Sequence, residues 1–232
     1  MIISGLQKMT LLDYPGRVAC TVFLQGCNFR CPFCHNSGLL GAAQEDTIPA
    51  EELLEFLRKR SGMLDGVCIT GGEPTLQADL PQLLRQIKEL GYAIKLDTNG
   101  SRPDMLKALA EENLIDYVAM DIKNCPDRYG ETTGLSQMSA GIEESIAFLM
   151  TGAVDYEFRT TVVEEFHDEA AIEAIGKWLS QYGKAKRLFL QPYVDRDSVL
   201  QQGLSTPTAE KLSRFKAILA PYAEFVQIRG AD

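Results

Sequence analysis

Apolar residues recur along this chain in two rhythms. Short runs of β-branched and aliphatic residues alternate with stretches whose apolar positions fall three and four apart. The short runs predict strands at Val18–Leu24, Gly66–Thr70, Ala93–Thr98, Tyr117–Ile122, Tyr156–Val163 and Arg187–Gln191, with a last one near Glu224–Ile228. Between them, spacings such as Leu53, Leu54 and Leu57, or Leu83, Leu84, Ile87 and Leu90, are helical. They predict helices over Ala50–Arg60, Leu80–Leu90, Pro103–Glu112, Ala140–Met150, Asp168–Tyr182 and Thr208–Leu219. Pro49, Pro81 and Pro103 stand near helix starts, where a missing backbone N–H is tolerated.

Strand–helix alternation of this kind predicts a parallel sheet joined by helical crossovers. About six such units fall short of the eight in a full barrel. The expected fold is therefore α/β, an incomplete (β/α)6 TIM-type barrel with parallel strands; an open doubly wound sheet is the runner-up. No repeat, low-complexity segment or flexible linker interrupts the pattern, so residues 1–232 are expected to form a single domain.

Composition narrows the setting. Apolar residues make up 45% and charged residues 24% of the 232, enough for a substantial core. No run of about 18 apolar residues is present, so no membrane span is expected. The first residues lack a signal peptide's basic start, apolar stretch and cleavage site, and the expected location is the cytoplasm, where thiols stay reduced. A net charge of −9 speaks against broad binding to nucleic acid or a membrane surface.

Against that background Cys27, Cys31 and Cys34 stand out as C-x3-C-x2-C. Three closely spaced thiols can hold three corners of a four-iron cluster and leave the fourth iron open to a substrate or cofactor; electron carriers ordinarily use four. A structural zinc site would need a fourth ligand, and His35 directly follows Cys34, which makes joint tetrahedral coordination awkward. Cys20 and Cys68 lie in apolar runs and read as core thiols; Cys125 reads as a loop residue. His167 reads as a solvated loop residue, and His35 as either a cluster-tuning or a structural contact.

Further polar groups fall at the ends of successive predicted strands, where both candidate folds bind ligands. Gly71, Gly72, Glu73 and Pro74 follow the second strand, Asp97, Thr98, Asn99 and Gly100 the third, and Met120, Asp121 and Lys123 the fourth. Arg159 lies within the fifth, and Gln191 and Tyr193 close the sixth. Two glycines let backbone approach a neighbour closely, and a carboxylate accepts hydrogen bonds from an ammonium.

These motifs resemble the radical S-adenosylmethionine (radical SAM) enzymes, with Phe33 in the aromatic slot of the cysteine loop. The resemblance runs from about Gly5 to Gln191 and implies a [4Fe–4S] cluster on Cys27, Cys31 and Cys34. It implies reductive cleavage of S-adenosylmethionine to methionine and a 5′-deoxyadenosyl radical. Gly71, Gly72, Glu73 and Pro74 match the superfamily's cofactor-binding glycine–glutamate motif. Within the superfamily the chain is most similar to glycyl radical enzyme activases. Asp13-Tyr-Pro-Gly-Arg17 resembles their lead-in, with Tyr14 in place of a glycine, and Gly5 to Gly16 resembles the start of the activating protein of anaerobic ribonucleoside-triphosphate reductase.

Similarity to the formate-lyase activase implies further roles. Asp97, Thr98, Met120 and Asp121 match a monovalent-cation site, Lys123 a contact to the cofactor carboxylate, and Arg159 one to its methionine part. Asn99 and Gln191 join the expected cofactor contacts. Plainer alternatives stay open: Asp121 pairing with Lys123, a strand salt bridge for Arg159, and a simple Asn-Gly turn. Where that activase has a histidine after Pro-Tyr, this chain has Val194, so the contact is lost or taken over by Gln191 or Tyr193.

The resemblance implies a glycyl radical enzyme as partner, the anaerobic ribonucleotide reductase first, with flavodoxin or ferredoxin as electron donor. Formate lyase or another such enzyme is an alternative target. A second alternative is 7-carboxy-7-deazaguanine synthase, whose Asp-Ile-Lys-Cys-Pro stretch Asp121–Pro126 resembles with Asn124 inserted. A third is a non-catalytic iron–sulfur or zinc module.

Overall fold

The computed structural model describes residues 1–41, 47–136, 138 and 140–230, and among them eight strands interleave with seven α-helices. The strands are β1 (Ile3–Thr10), β2 (Ala19–Leu24), β3 (Gly66–Gly71), β4 (Ala93–Thr98), β5 (Tyr117–Asp121), β6 (Asp155–Val162), β7 (Ala185–Pro192) and β8 (Ala223–Ile228). The helices are α1 (Ala50–Lys59), α2 (Leu80–Glu89), α3 (Pro103–Glu111), α4 (Tyr129–Thr133), α5 (Ala140–Met150), α6 (Glu169–Ser180) and α7 (Ala209–Leu219).

All eight strands form one open sheet in chain order, β1 through β8. That order never reverses. A doubly wound sheet requires a reversal, whereas a barrel path adds each strand beside the last, so the partial-barrel expectation holds. Parallel pairing joins β2 to β3 to β4 and β6 to β7 to β8. One correction concerns β1, which the apolar rhythm does not announce and which runs antiparallel to β2. Polar Gln7 and Lys8 and the small Ser4 and Gly5 hide it from pattern reading.

Contacts gather the chain into two compact units. The first comprises residues 1–28, 38–98 and 104–118. Side chains alternate across its strands. One face carries Cys20, Val22, Leu24, Val67, Ile69, Ile94 and Leu96, all at 0% exposure. The other carries Thr21, Phe23, Cys68, Thr70, Lys95 and Asp97. Helix α1 buries Leu53, Leu54 and Leu57, and α2 buries Leu80, Leu83, Leu84 and Ile87. Each such side chain contributes roughly 1.5–3 kcal/mol on removal from water. In α1, Glu51 and Glu52 in the first turn and Arg58 and Lys59 in the last also complement the helix dipole.

The second unit comprises residues 29–37, 99–103 and 119–232. Asp168, read from sequence as the start of a helix, is the N-cap of α6, its carboxylate accepting from Ala171 N at 2.8 Å. Helices α6 and α7 pack together, with Trp178, Leu179 and Phe215 in the core. Glu157 in β6, at 0% side-chain exposure, receives both Arg229 guanidinium nitrogens at 2.8 and 3.0 Å, and that guanidinium lies 3.6 Å over the Phe189 ring. This bidentate pair fastens the chain beyond β8 to β6.

Candidate functional site

The cysteine loop begins where β2 ends. Gly26 turns the chain with φ +91°, donates to Leu39 O at 2.8 Å and accepts from Glu73 N at 2.7 Å. Gln25 is anchored on both sides: its amide nitrogen donates to Gly41 O at 3.0 Å, and its carbonyl accepts from Gln77 Nε2 at 2.8 Å. Cys27 therefore leaves a fixed strand exit in the first unit. In the second, Arg30 N donates to Thr133 O at the end of α4 at 2.8 Å, and Cys34 N donates to Cys31 O at 3.1 Å, closing a turn.

Cys31 is 8% exposed, Cys27 and Cys34 are half-buried, and all six cysteines are free thiols. Cys20, Cys68 and Cys125 are buried, the first two as expected of core thiols. Burial pushes the Cys20 thiol up to about 12, so it is inert, whereas Cys27 and Cys34 keep partial exposure. A closed zinc site needs four ligands around one ion, while a four-iron cluster takes thiolates at separate corners. The donor set fits the cluster.

The Gly71-Gly72-Glu73-Pro74 exit of β3 owes its composition to the chain's own backbone. Gly71 has φ +123°, and a Cβ there would lie 3.0 Å from Leu24 C; one on Gly72 would lie 2.5 Å from Gly26 C and 3.1 Å from Cys27 N. Only glycine lets this turn press against the start of the cysteine loop. Glu73, 1% exposed, accepts from Thr75 N at 3.1 Å, from Thr98 Oγ1 at 2.7 Å and from Thr75 Oγ1. Pro74 opens the short 3-10 turn that this carboxylate caps. The two hydrogen bonds from Thr75 to Glu73 are not announced by the motif's spacing.

Asp97 and Thr98 end β4 and point to opposite faces. Thr98 donates to Glu73, while an Asp97 carboxylate oxygen is ion-paired with Lys95 Nζ, a residue that no sequence motif singles out. Asn99 is buried and accepts from Ser101 N at 2.9 Å, the short turn anticipated as the plainer alternative. Gly100, at φ +76°, lies so close to buried Met120 that a Cβ would come within 2.8 Å of its sulfur.

Asp121 ends β5 between two cations, with Arg159 Nε at 3.0 Å and Lys123 Nζ at 2.9 Å. Burial would raise its pKa, but Arg159 and Lys123 hold it down to about 2. Burial would lower Lys123, but Asp121 and the Cys31 thiol push it well above the usual lysine value. His167 requires a correction. It is 1% exposed, accepts from Val163 N at 3.1 Å through Nδ1, and donates to Lys123 O at 3.0 Å through Nε2. Burial lowers its pKa and keeps it neutral, so it fixes the Lys123 backbone.

A strap formed by residues 193–201 holds the far side of the cysteine loop. His35 Nε2 donates to Val194 O at 2.7 Å, and its ring stacks on buried Tyr193 at 5.6 Å and 26°. Ser198 Oγ donates to His35 O at 3.0 Å, Ser37 Oγ donates to Ser198 O, and Gln201 N donates to Pro32 O at 2.9 Å. Val194 thus contributes through its carbonyl rather than its side chain. Phe33 is buried with its ring 5.9 Å from Phe166, and Gln191 sits half-buried in β7 opposite Thr161.

A family model of the radical SAM superfamily matches residues 21–169. The chain belongs to this superfamily. Its radical SAM relatives include a protein of Methanocaldococcus jannaschii provisionally assigned as a glycyl-radical enzyme activating enzyme, 32% identical over 98% of this chain and 95% of its own. The pyruvate formate-lyase 1-activating enzyme of Escherichia coli is 26% identical over 97% of each chain. Among solved structures, a radical SAM methyltransferase of Sphaerobacter thermophilus matches with a TM-score of 0.74 at 18% identity, covering 95% of this chain and 68% of that one. These relatives place the chain among the glycyl radical enzyme activases, as a radical SAM enzyme with a [4Fe–4S] cluster and S-adenosylmethionine as cofactors. No helix among the described residues is long and apolar enough to cross a membrane.

Proposed function

We propose that this chain activates an anaerobic ribonucleoside-triphosphate reductase by removing a Cα hydrogen from one of its glycines. The observation that carries the choice of partner is at the strap. The formate-lyase activase has a histidine after Pro-Tyr; here Val194 stands there, and His35 reaches across from the cysteine loop to its carbonyl. The likeness of Gly5 to Gly16 to the reductase-activating group points the same way.

Cys27, Cys31 and Cys34 hold the cluster. When bound, the cluster and S-adenosylmethionine supply a one-electron cleavage of a carbon–sulfur bond that yields methionine and a 5′-deoxyadenosyl radical. Gly71, Gly72, Glu73 and Pro74 present the turn that receives the cofactor's amino group. Lys123 and Arg159 offer cations to its carboxylate end, and Phe33, Asp97, Asn99 and Gln191 complete its surroundings. Residues 1–232 are taken as a single domain, a reading that draws on a family match over residues 21–169 with stretches in both units. The proposed setting is the cytoplasm, with flavodoxin or ferredoxin as electron donor.

The test is anaerobic. Reconstituted protein, reductant and S-adenosylmethionine are mixed with the host's anaerobic reductase, and separately with its formate lyase, and electron paramagnetic resonance spectra are recorded. A glycyl doublet in the reductase alone is expected. A doublet only in the lyase overturns the partner. If 5′-deoxyadenosine forms with neither doublet, the substrate lies elsewhere and turnover of carboxytetrahydropterin is tested next. Cys31→Ala should lose both cluster iron and cofactor cleavage.

A further inference from the structure

Lys95 is one of the largest fully buried side chains in the protein, at 1% exposure. Strand alternation puts it on the same face of β4 as Asp97, and parallel register puts Cys68 of β3 beside it. Its ammonium is ion-paired with Asp97 and lies 3.6 Å from Cys68 Sγ. An ammonium is costly to bury unless a carboxylate accompanies it. The Asp97 side chain is itself 15% exposed, so it stands at the open end of the strand with the lysine charge sealed behind it.

Asp97 and Asp121 are the two carboxylates that sequence resemblance assigns to a monovalent-cation site. Each has a cationic side chain of its own unit against it: Lys95 at Asp97, and Lys123 with Arg159 at Asp121. We propose that the Lys95 ammonium serves as a built-in monovalent cation, holding Asp97 oriented and charge-balanced, so that this chain binds S-adenosylmethionine without a free sodium or potassium ion. Lys95 is a positioning residue that acts through Asp97. A tethered ammonium cannot be diluted away, and its position is set by strand geometry rather than by ion supply. The inference rests on the proposed place of Asp97 beside S-adenosylmethionine and is independent of which protein receives the radical.

The experiment measures S-adenosylmethionine binding to the cluster-reconstituted full chain by equilibrium dialysis, in potassium, sodium or choline chloride at equal ionic strength. Thermal midpoints are read in the same three salts. The native protein should bind equally in all three and show one midpoint. Lys95→Met should weaken binding by about tenfold or more in choline chloride and recover most of it in potassium or sodium chloride. The pair Lys95→Met with Asp97→Asn buries no charge, so it keeps the experiment interpretable if the single variant folds poorly; its binding should be insensitive to the salt. Native binding that requires potassium or sodium overturns the proposal. So does a Lys95→Met loss that is equal in all salts, or a double variant that still responds to the ion.

Discussion

Gly72→Ala tests the contact that joins the exit of β3 to the cysteine loop. Gly72 is not among the residues with positive φ, so alanine suits its backbone and only the contact is perturbed. The new Cβ would clash hardest with Gly26 O and would sit 2.5 Å from Gly26 C and 3.1 Å from Cys27 N, where ordinary contact begins at 3.4 Å, so the two segments must part by more than an ångström. The Glu73 N to Gly26 O bond of 2.7 Å lies across that gap. Overpacking costs about 1–3 kcal/mol and the stretched hydrogen bond about 1 more. For a protein of this size that lowers the thermal midpoint by roughly 5–15 °C. Displacing the Cys27 end of the cluster loop by an ångström or more should cost about 100-fold or more in cofactor cleavage. The assays are circular-dichroism melting of the apoprotein and chromatographic measurement of 5′-deoxyadenosine formed with dithionite. Gly62→Ala, where φ is +76° but nothing lies within 4 Å, is the control that isolates backbone strain, about 1 kcal/mol, and should keep full activity. A Gly72→Ala protein with a midpoint within about 2 °C of native and a rate within about threefold would refute the reasoning.

Three further outcomes are expected. Arg229→Met removes the bidentate partner of fully buried Glu157 and should cost about 3 kcal/mol by urea unfolding, the low end for a broken buried pair because Arg229 is 31% exposed. Adding Glu157→Leu should restore most of it, and a double variant as weak as the single would count against the pair. Because Asp121 titrates at about 2 when folded, below its usual 3.8, its contribution to stability is whole above about pH 4 and drains away as pH falls toward 2. Asp121→Asn should flatten that part of the acid-unfolding curve, and an unchanged curve would argue against the paired arrangement. Ser198→Ala removes a strap bond to the cysteine loop and should speed bleaching of the reconstituted cluster in air by several-fold, read at its visible absorbance, with little change in apoprotein melting.

Sequence pattern captured the elements that alternation governs. The predicted helix Ala140–Met150 and strand Ala93–Thr98 match α5 and β4 to the residue, because each carries apolar residues at its own period. Edge strand β1 was missed because only its two ends, Ile3 and Thr10, are buried and its register with β2 shifts, so no alternation shows, and α4 because five residues carry too little period. At the site, the cysteines and the glycine–glutamate turn were legible as local spacing. Lys95 was not, since a lysine in a strand ordinarily reads as solvated and its burial depends on Cys68 and Asp97 folding around it. His167 was misread for the same reason: the groups that seal it, at Val163 and Lys123, belong to separate elements. Gly71 and Gly72 were found for a cofactor's sake, yet the structure gives them a job against Leu24 and Gly26.

The strap ties the beginning of this protein to its end. His35 and Val194 are 159 residues apart in sequence. At roughly 5–20 residues per second, a ribosome needs about 8–30 s to make the chain between them. For that interval the loop bearing Cys27, Cys31 and Cys34 is already synthesised while Tyr193, Val194 and Ser198 do not yet exist. The order of translation therefore leaves the three thiols unclasped during much of the chain's birth. Iron–sulfur delivery has its easiest access in that period, and oxygen does too.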